Sequence, residues 1–136
     1  MEKAASLEVD AIVYDLEDSV AIEKKEVART HLREFLQNAF DIGQNSNSML
    51  RHPYVTVRVN CPLTTIHGWD DVAMINSLSN FHVVKAVVLP KVRDVASLTA
   101  VVSSLTRPLP IWAMIETAQG VVNVEPISLC GSVEVY

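Results

Sequence analysis

Five short runs of apolar, often β-branched residues recur along the chain, and stretches with helical spacing separate them. The runs are AIVYDL (11–16), YVTVRV (54–59), VVKAVVL (83–89), PIWAMI (110–115) and SVEVY (132–136). Several lack a regular alternation of polar and apolar residues, which is typical of strands covered on both faces. Strands that alternate with helices predict βαβ units and a parallel sheet.

The stretches between the runs carry apolar residues at every third or fourth position, which predicts helices. We expect helices over 24–40, over about 72–78, over 94–106, and from about Ala118 to the residue before Pro126 or one turn beyond it. Asp94 is placed to cap the start of the third helix. The polar segments 42–53 and 60–71 are predicted loops, and 1–7 resembles the end of an earlier helix.

Polar or charged residues follow four of the predicted strands. They are Glu17 and Asp18, then Arg58 and Asn60, then Lys91, then Glu116 and Thr117. The successive spacings from Glu17 to Arg58, Lys91 and Glu116 are 41, 33 and 25 residues. A (β/α)8 barrel uses about 31 residues for each of its units, so these spacings predict part of such a barrel.

The carboxyl ends of parallel strands meet at one edge of the sheet, where ligands bind. Carboxylates, a guanidinium and an ammonium at that edge would offset one another's desolvation and leave a polar pocket. The acidic pair Glu17 and Asp18 is therefore expected at the mouth of a site.

The composition argues against several classes of protein. The net charge is −5 and no Lys/Arg run is present, which disfavours nucleic acid binding. No apolar run reaches the roughly 18 residues that cross a bilayer. Cys61 and Cys130 have no metal-type spacing and fit a reducing compartment. We expect one soluble domain over 1–136, cytoplasmic, or mitochondrial in a eukaryote.

Four motifs occur in a recognisable order: VDAIVYDLEDSV, VTVRVN, VVLPKV and MIETAQGVVNV. In this order and spacing they resemble the citrate lyase beta-subunit-like branch of the HpcH/HpaI aldolase family, one of the phosphoenolpyruvate/pyruvate-domain barrels. The resemblance covers nearly the whole chain. It implies a (β/α)8 barrel that makes or breaks a carbon–carbon bond by aldol- or Claisen-type chemistry.

The resemblance also implies substrates and site residues. Substrates would be citryl-, malyl- or citramalyl-CoA or a related 2-oxo acid, with Mg²⁺ as the ion. Glu116 resembles a metal ligand, and Arg58 resembles the residue that grips the substrate carboxylate. Glu17 and Asp18 resemble catalytic groups that hold metal-bound water and orient Arg58. Lys91 would lie where the acyl-CoA approaches, and Lys3 resembles a substrate-contacting lysine.

One feature of the family pattern, its second metal ligand, does not occur in this sequence. The second metal ligand of the family is an Asp that follows the strand begun by SVEVY, and the sequence ends before it. The resemblance therefore implies about strands two to six of eight, and a homo-oligomer if the full barrel exists.

Other interpretations remain open on the sequence alone. Glu116 could cap the following helix, Glu17 and Asp18 could be N-terminal charges of the 20–40 helix, and Arg58 could form a structural bridge to either acid. Lys91 could be a surface lysine. IVYDLEDSV also superficially resembles the Asp motif of haloacid-dehalogenase-like phosphatases. Finally, the chain could be an inert fragment that acts only through association with another chain.

Overall fold

The computed structural model describes residues 9–44, 53–79, 82–131 and 133–135. Five strands form one parallel sheet in the order β1-β2-β3-β4-β5. The strands are Ala11–Asp15 (β1), Tyr54–Arg58 (β2), Ala86–Leu89 (β3), Ile111–Ala113 (β4) and Val133–Val135 (β5). All five predicted strands are thus confirmed.

Helices connect the strands. They are Lys25–Gln44 (α1, preceded by a 3-10 turn at Ile22–Lys24), Ile66–Asn76 (α2), Val95–Ser104 (α3), Ala118–Val122 (α4) and Val124–Ser128 (α5). None of the helices in the part of the chain that the structure describes is long and apolar enough to cross a membrane.

The spatial order of the strands is the same as their order in the sequence. A doubly wound sheet reverses direction at a switch point, whereas a (β/α)8 barrel adds each new strand on the same side of the last one. Asp15 pairs with Arg58, Arg58 with Val88, and Val88 with Trp112, so these residues share one face of the sheet. The prediction of a partial barrel is confirmed.

One face of the sheet packs against the helices and forms the core. On β1 this face carries Ile12 and Tyr14, and the Tyr14 ring meets Phe35 of α1 edge-on with their centroids 5.6 Å apart. Further buried residues of this core come from every layer of the fold: Leu32, Leu36, Val57, Val72, Ile75, Val87, Leu98, Val101, Ile111 and Ile127.

The other face of the sheet is covered unevenly. All four residues of β3 are buried, as expected for a strand covered on both faces. Along β1, in contrast, buried residues alternate with exposed ones, and Val13 is 49% exposed. Tyr54 and Trp112 stack in parallel across β3 on this second face, with their ring centroids 5.5 Å apart. Coverage on both faces, predicted for several of the strands, is therefore found at β3, whereas β1 is buried on one face.

Several helix boundaries differ from those that the sequence predicts. Helix α2 begins six residues earlier, at Ile66, because the Thr65 hydroxyl accepts a hydrogen bond from the His67 N–H and caps the helix. The last predicted helix is two short helices that meet at Asn123. Asp94 caps α3 as predicted, since it accepts a hydrogen bond from the Ser97 N–H at 2.8 Å.

Other predictions concern the ends of α1 and of the chain. The predicted helix 24–40 continues to Gln44, so the first three residues of the predicted loop 42–53 are helical. The remainder of that loop up to residue 52 lies outside the described residues, as does the expected helix end at 1–7.

Two glycines let helix starts approach the loops at the carboxyl edge of the sheet. A Cβ on Gly68 would lie 2.5 Å from the Asn60 carbonyl oxygen, and a Cβ on Gly120 would overlap the Val92 carbonyl oxygen. Both glycines are the third residue of a helix capped by threonine, in the sequences TIHG and TAQG. Gly131, in contrast, has open space around its Cα.

We predict that Gly120→Ala lowers the free energy of unfolding by about 1–3 kcal/mol, because overpacking outweighs the better helix propensity of alanine. Gly131→Ala is the control and should change it by less than about 0.5 kcal/mol, as surface substitutions do. Urea unfolding of both variants measures the difference. Equal stabilities would contradict the close packing of α4 on Val92.

Candidate active site at the carboxyl ends of the strands

Asp15 and Arg58 form a bidentate ion pair at the carboxyl ends of β1 and β2. Arg58 donates from Nε to Asp15 Oδ1 at 2.7 Å and from Nη2 to Asp15 Oδ2 at 2.5 Å. The two residues are direct partners in the strand register, so both side chains leave the sheet on the same face. Two parallel charge-assisted bonds fix the plane of the guanidinium.

The surroundings of this pair shift both pKa values. Burial alone would raise the pKa of Asp15, but the hydrogen bonds from Arg58, Ser19 and the Glu17 N–H outweigh it and hold that pKa far below its ordinary value of 3.8. The hydrogen bond to Asp15 raises the pKa of Arg58. Asp15 therefore stays ionised through the whole neutral and mildly acidic range.

Glu17 lies between two cations although it is almost fully buried, with 3% of its surface exposed. Its Oε2 atom is 3.4 Å from Arg58 Nη1, and its Oε1 atom accepts a hydrogen bond from the Lys91 ammonium. Oε2 is buried and accepts no hydrogen bond from the described residues. A buried carboxylate with one unused acceptor is suited to a further hydrogen-bond donor or a cation.

Lys91 connects the acidic pair with the end of β4. Its ammonium contacts Glu17 and lies 3.4 Å from Asp18 Oδ1, and its main-chain N–H donates to Glu116 Oε1 at 2.8 Å. The hydrogen bond that the Lys91 ammonium donates to Glu17 raises the pKa of Lys91, so this side chain is a cation at neutral pH. Arg58 and Glu116 thus lie on the same edge of the sheet, joined through Glu17 and Lys91.

A buried lysine supports the main chain beneath the acidic pair. Lys25 donates to the carbonyl oxygens of Leu16 at 2.8 Å and Glu17 at 2.5 Å. The Asn60 amide also donates to the Leu16 carbonyl, at 2.8 Å. These bonds hold the segment that follows β1, so the orientation of Glu17 depends on residues outside the site.

A buried carboxylate on α2 completes this support. Asp71 is fully buried, and its Oδ2 atom accepts from both the main-chain N–H and the side-chain amide of Asn60, at 2.8 and 2.7 Å. Its Oδ1 atom accepts from Arg29 Nη1 of α1 at 2.5 Å. Asp71 therefore ties two helices to the end of β2.

The structure brings most of the predicted site residues together. Those on the described edge are Glu17, Asp18, Arg58, Lys91 and Glu116. Lys3 lies outside the described residues. Asn60, named for its place after β2, serves the supporting network.

Sequence reasoning missed Asp15, which is the main partner of Arg58. We predicted that Glu17 and Asp18 orient Arg58, but Glu17 makes one long contact to it, and Asp18 contacts Lys91. Alternation along β1 puts Asp15 with Val13 on the face opposite to the buried Ile12 and Tyr14, but its pairing with Arg58 follows from the cross-strand register.

Two of the alternative interpretations are wrong. Thr117, and not Glu116, caps α4, because its hydroxyl accepts from the Gly120 N–H at 3.0 Å. Glu17 and Asp18 precede the first residue of α1, Lys25, by seven or more positions, so they are not its N-terminal charges. The bridge from Arg58 to Glu17 does exist, beside the stronger one to Asp15.

Comparison with known proteins identifies the family of the chain. The profile of the HpcH/HpaI aldolase/citrate lyase family matches residues 1–135. A (3S)-malyl-CoA thioesterase from Cereibacter sphaeroides is 41% identical over 130 residues, which are 94% of this chain and 40% of the relative. An L-malyl-CoA/beta-methylmalyl-CoA lyase from the same species is 32% identical over 136 residues, with 93% and 39% covered. The chain spans about two fifths of the length of these relatives.

Solved structures share the fold. The protein CitE from Mycobacterium tuberculosis, in complex with magnesium and pyruvate, superposes with a TM-score of 0.70 at 24% identity, covering 98% of this chain and 46% of that one. The Haloferax volcanii malate synthase in a pyruvate/acetyl-CoA ternary complex gives 0.70 at 16% identity, covering 92% and 36%. At such identities the likeness supports the barrel architecture.

We predict that Asp71→Asn lowers the free energy of unfolding by about 3 kcal/mol, because it removes the buried anion of the network and leaves Arg29 with a longer contact to the half-exposed Asp70. The neighbouring Asp70 is half exposed and lies 3.4 Å from the same Arg29. Asp70→Asn is therefore the matched control, and its effect should stay below about 1 kcal/mol. Chemical denaturation tests the contrast; similar losses for the two variants would contradict it.

We predict that the Asp15–Arg58 pair makes stability depend on acidic pH. Because the pKa of Asp15 is lowered on folding, its contribution is present above the ordinary value of 3.8 and is lost as pH falls below it. The free energy of unfolding of Asp15→Asn should fall less steeply between pH 5 and 2.5 than that of the unsubstituted chain. Glu34→Gln, at an exposed position of α1, is the control and should keep the original slope. An unchanged slope in Asp15→Asn would contradict the prediction.

Proposed function

Because the chain belongs to the HpcH/HpaI aldolase/citrate lyase family, we propose that it carries part of the active site of a carbon–carbon lyase. Its substrate class is a hydroxy-acyl-CoA thioester such as citryl-, malyl- or citramalyl-CoA, or a related 2-oxo acid. Relatives named as malyl-CoA lyase and malyl-CoA thioesterase support a malyl-type CoA ester.

The observation that carries this proposal is the way Asp15 holds Arg58. Asp15 uses the edge of the guanidinium formed by Nε and Nη2. The outer edge is formed by Nη1 and the second N–H of Nη2; Glu17 Oε2 lies 3.4 Å from Nη1 without a hydrogen bond, and Asp15 leaves both of these donors unused. The side chain is 23% exposed, so a planar substrate carboxylate can bind this edge through two hydrogen bonds. Such binding fixes the substrate relative to the acidic cluster.

Cleavage of a hydroxy-acyl-CoA needs a proton acceptor and a way to stabilise negative charge. The substrate hydroxyl loses its proton, its oxygen forms a carbonyl, and the bond to the α carbon breaks. The electron pair of that bond passes to the thioester as an enolate, which takes up a proton and leaves as the acyl-CoA. In this proposal Asp18, whose side chain is 72% exposed at the edge of the cluster, accepts the hydroxyl proton.

The residues at this edge fit a divalent cation. Within the described ranges no three His, Cys, Asp or Glu side chains form a complete metal site. Mg²⁺, however, takes one or two protein carboxylates and fills its other positions with water and substrate oxygens. Glu116 is exposed and its Oε1 atom accepts from the Lys91 N–H, while the Oε2 atom of Glu17 accepts no hydrogen bond from the described residues. When bound, the cation would polarise the substrate carbonyl and stabilise the enolate charge.

Hydrolysis of the thioester is a second candidate, because the 41%-identical relative is a (3S)-malyl-CoA thioesterase. In that reaction water attacks the thioester carbonyl, the C–S bond breaks, and a proton passes to the leaving thiolate. Arg58 would hold the same substrate carboxylate in both reactions. The products separate them: malyl-CoA yields glyoxylate and acetyl-CoA by cleavage, and malate and free CoA by hydrolysis.

We predict that the 136-residue chain with Mg²⁺ converts malyl-CoA to glyoxylate and acetyl-CoA, and that Arg58→Lys slows this at least about 100-fold by losing the bidentate grip. Arg33→Lys, at an exposed position of α1, is the control and should keep the original rate. Chromatography of the CoA products and a glyoxylate assay make the measurement.

Two results would overturn this proposal. Release of free CoA without glyoxylate would assign the thioesterase reaction instead. No product, together with no heat on titration of Mg²⁺ and oxaloacetate, would favour a chain that acts only in association with another one.

A further inference from the structure

Lys91 has an unusual main-chain conformation. Among the described residues it is the one non-glycine residue with a positive φ, of 56°. The left-handed region is unfavourable by roughly 1 kcal/mol or more for a residue with a Cβ, so such a conformation persists only where neighbouring groups impose it. At Lys91 the conformation directs the main-chain N–H to Glu116 Oε1 at 2.8 Å.

The turn that contains Lys91 is held from both sides. The Val92 N–H donates to the Met114 carbonyl at 3.3 Å, and the Thr117 hydroxyl donates to the Val92 carbonyl at 3.4 Å. The Asn123 amide donates to the Arg93 carbonyl at 2.8 Å. These contacts impose the backbone of Lys91 independently of its side chain.

The side chain of Lys91 contributes a charge where the acidic residues are most concentrated. Asp15, Glu17, Asp18 and Glu116 supply four carboxylates at this edge, and Arg58 and Lys91 supply two cations that contact them. The excess is negative, and it stays negative when the ammonium of Lys25 beneath the main chain is counted. The Lys91 side chain is 40% exposed, between the buried Glu17 at 4% and the exposed Asp18 at 72%.

We propose that Lys91 is a positioning residue with two separable roles at the cation site. Its main chain fixes Glu116, and its ammonium acts as an internal counter-ion of Glu17 and Asp18 that weakens the binding of a divalent cation. This inference rests on the cation site of the proposed function. It assigns Lys91 to control of that site, whereas the sequence analysis placed it where the acyl-CoA approaches.

The physical argument is electrostatic. A divalent cation bound near Glu17 and Glu116 is repelled by the ammonium, and the repulsion disappears when the charge is removed. For charges some 7 Å apart in a partly solvated site, this corresponds to a change of about 5- to 50-fold in Kd. A lysine that only braced the loop would, on removal, leave the affinity unchanged or weaken it. The direction of the change in Kd therefore distinguishes a counter-ion from a lysine that only braces the loop.

The experiment is a titration of the 136-residue chain with Mn²⁺, in which electron paramagnetic resonance counts the free ion. Lys91→Met removes the charge and keeps most of the side-chain volume. Lys91→Gly removes the charge and adopts positive φ without strain, so it remains a test if the Met variant folds poorly. Both should bind Mn²⁺ about 5- to 50-fold more tightly than the unsubstituted chain.

Two further variants are controls. Lys91→Arg keeps the positive charge and should retain the original Kd. Lys85→Met removes an exposed ammonium at the opposite end of β3, more than about 15 Å away along the strand, and should also leave the Kd unchanged.

The outcomes separate this inference from the proposed function. If the Met and Gly variants bind Mn²⁺ more tightly and the two controls do not, the result supports the inference about Lys91, even when no lyase activity is found. Equal or weaker binding overturns it, while cleavage of malyl-CoA by the unsubstituted chain would leave the proposed function standing. No Mn²⁺ binding by any variant also overturns it, together with the cation site.

Discussion

The carboxylate of Glu17 is almost fully buried at the edge of a sheet, and the rest of the site depends on how its charge is compensated. An uncompensated buried carboxylate is strongly unfavourable. Here Arg58 approaches one oxygen and Lys91 the other, while Asp15 holds Arg58 and the main chain of Lys91 holds Glu116. Ion pairs and the main-chain hydrogen bond from Lys91 to Glu116 therefore join the ends of four strands.

The fold supplies the conditions for this arrangement. Parallel strands in sequential order bring successive loops to one edge, and the pairing of β1 with β2 sets Asp15 beside Arg58. Helix α4 can approach the turn after β3 because Gly120 has no side chain to meet the Val92 carbonyl. The buried Asp71 fixes the end of β2 from the helix layer. The geometry of this edge therefore depends on Gly120 and Asp71, which lie outside the charged cluster.

Much of the architecture could be predicted from the sequence, because β-branched runs and helical periodicity are local signals. The five strands and the capping role of Asp94 are examples. The start of α2 at Ile66 was missed because the helical apolar pattern is visible in the sequence only from about Val72, several residues after the Thr65 cap. The strand-end acids and bases were found by position, but Asp15 was not, since which carboxylate meets Arg58 depends on cross-strand register. The left-handed conformation of Lys91 has no local signal, because distant contacts impose it.

The central claim is that these strand ends form one site for a cation and an anionic metabolite. Its most direct test is the broadening of amide and Arg58 Nε–H resonances by Mn²⁺ with pyruvate in a ¹⁵N spectrum of the chain. The account predicts selective broadening of Glu17, Arg58, Lys91 and Glu116, and sharp signals for Val84 and Lys85 at the opposite edge of the sheet. Broadening centred away from the four strand-end residues, or none at millimolar pyruvate, would contradict it.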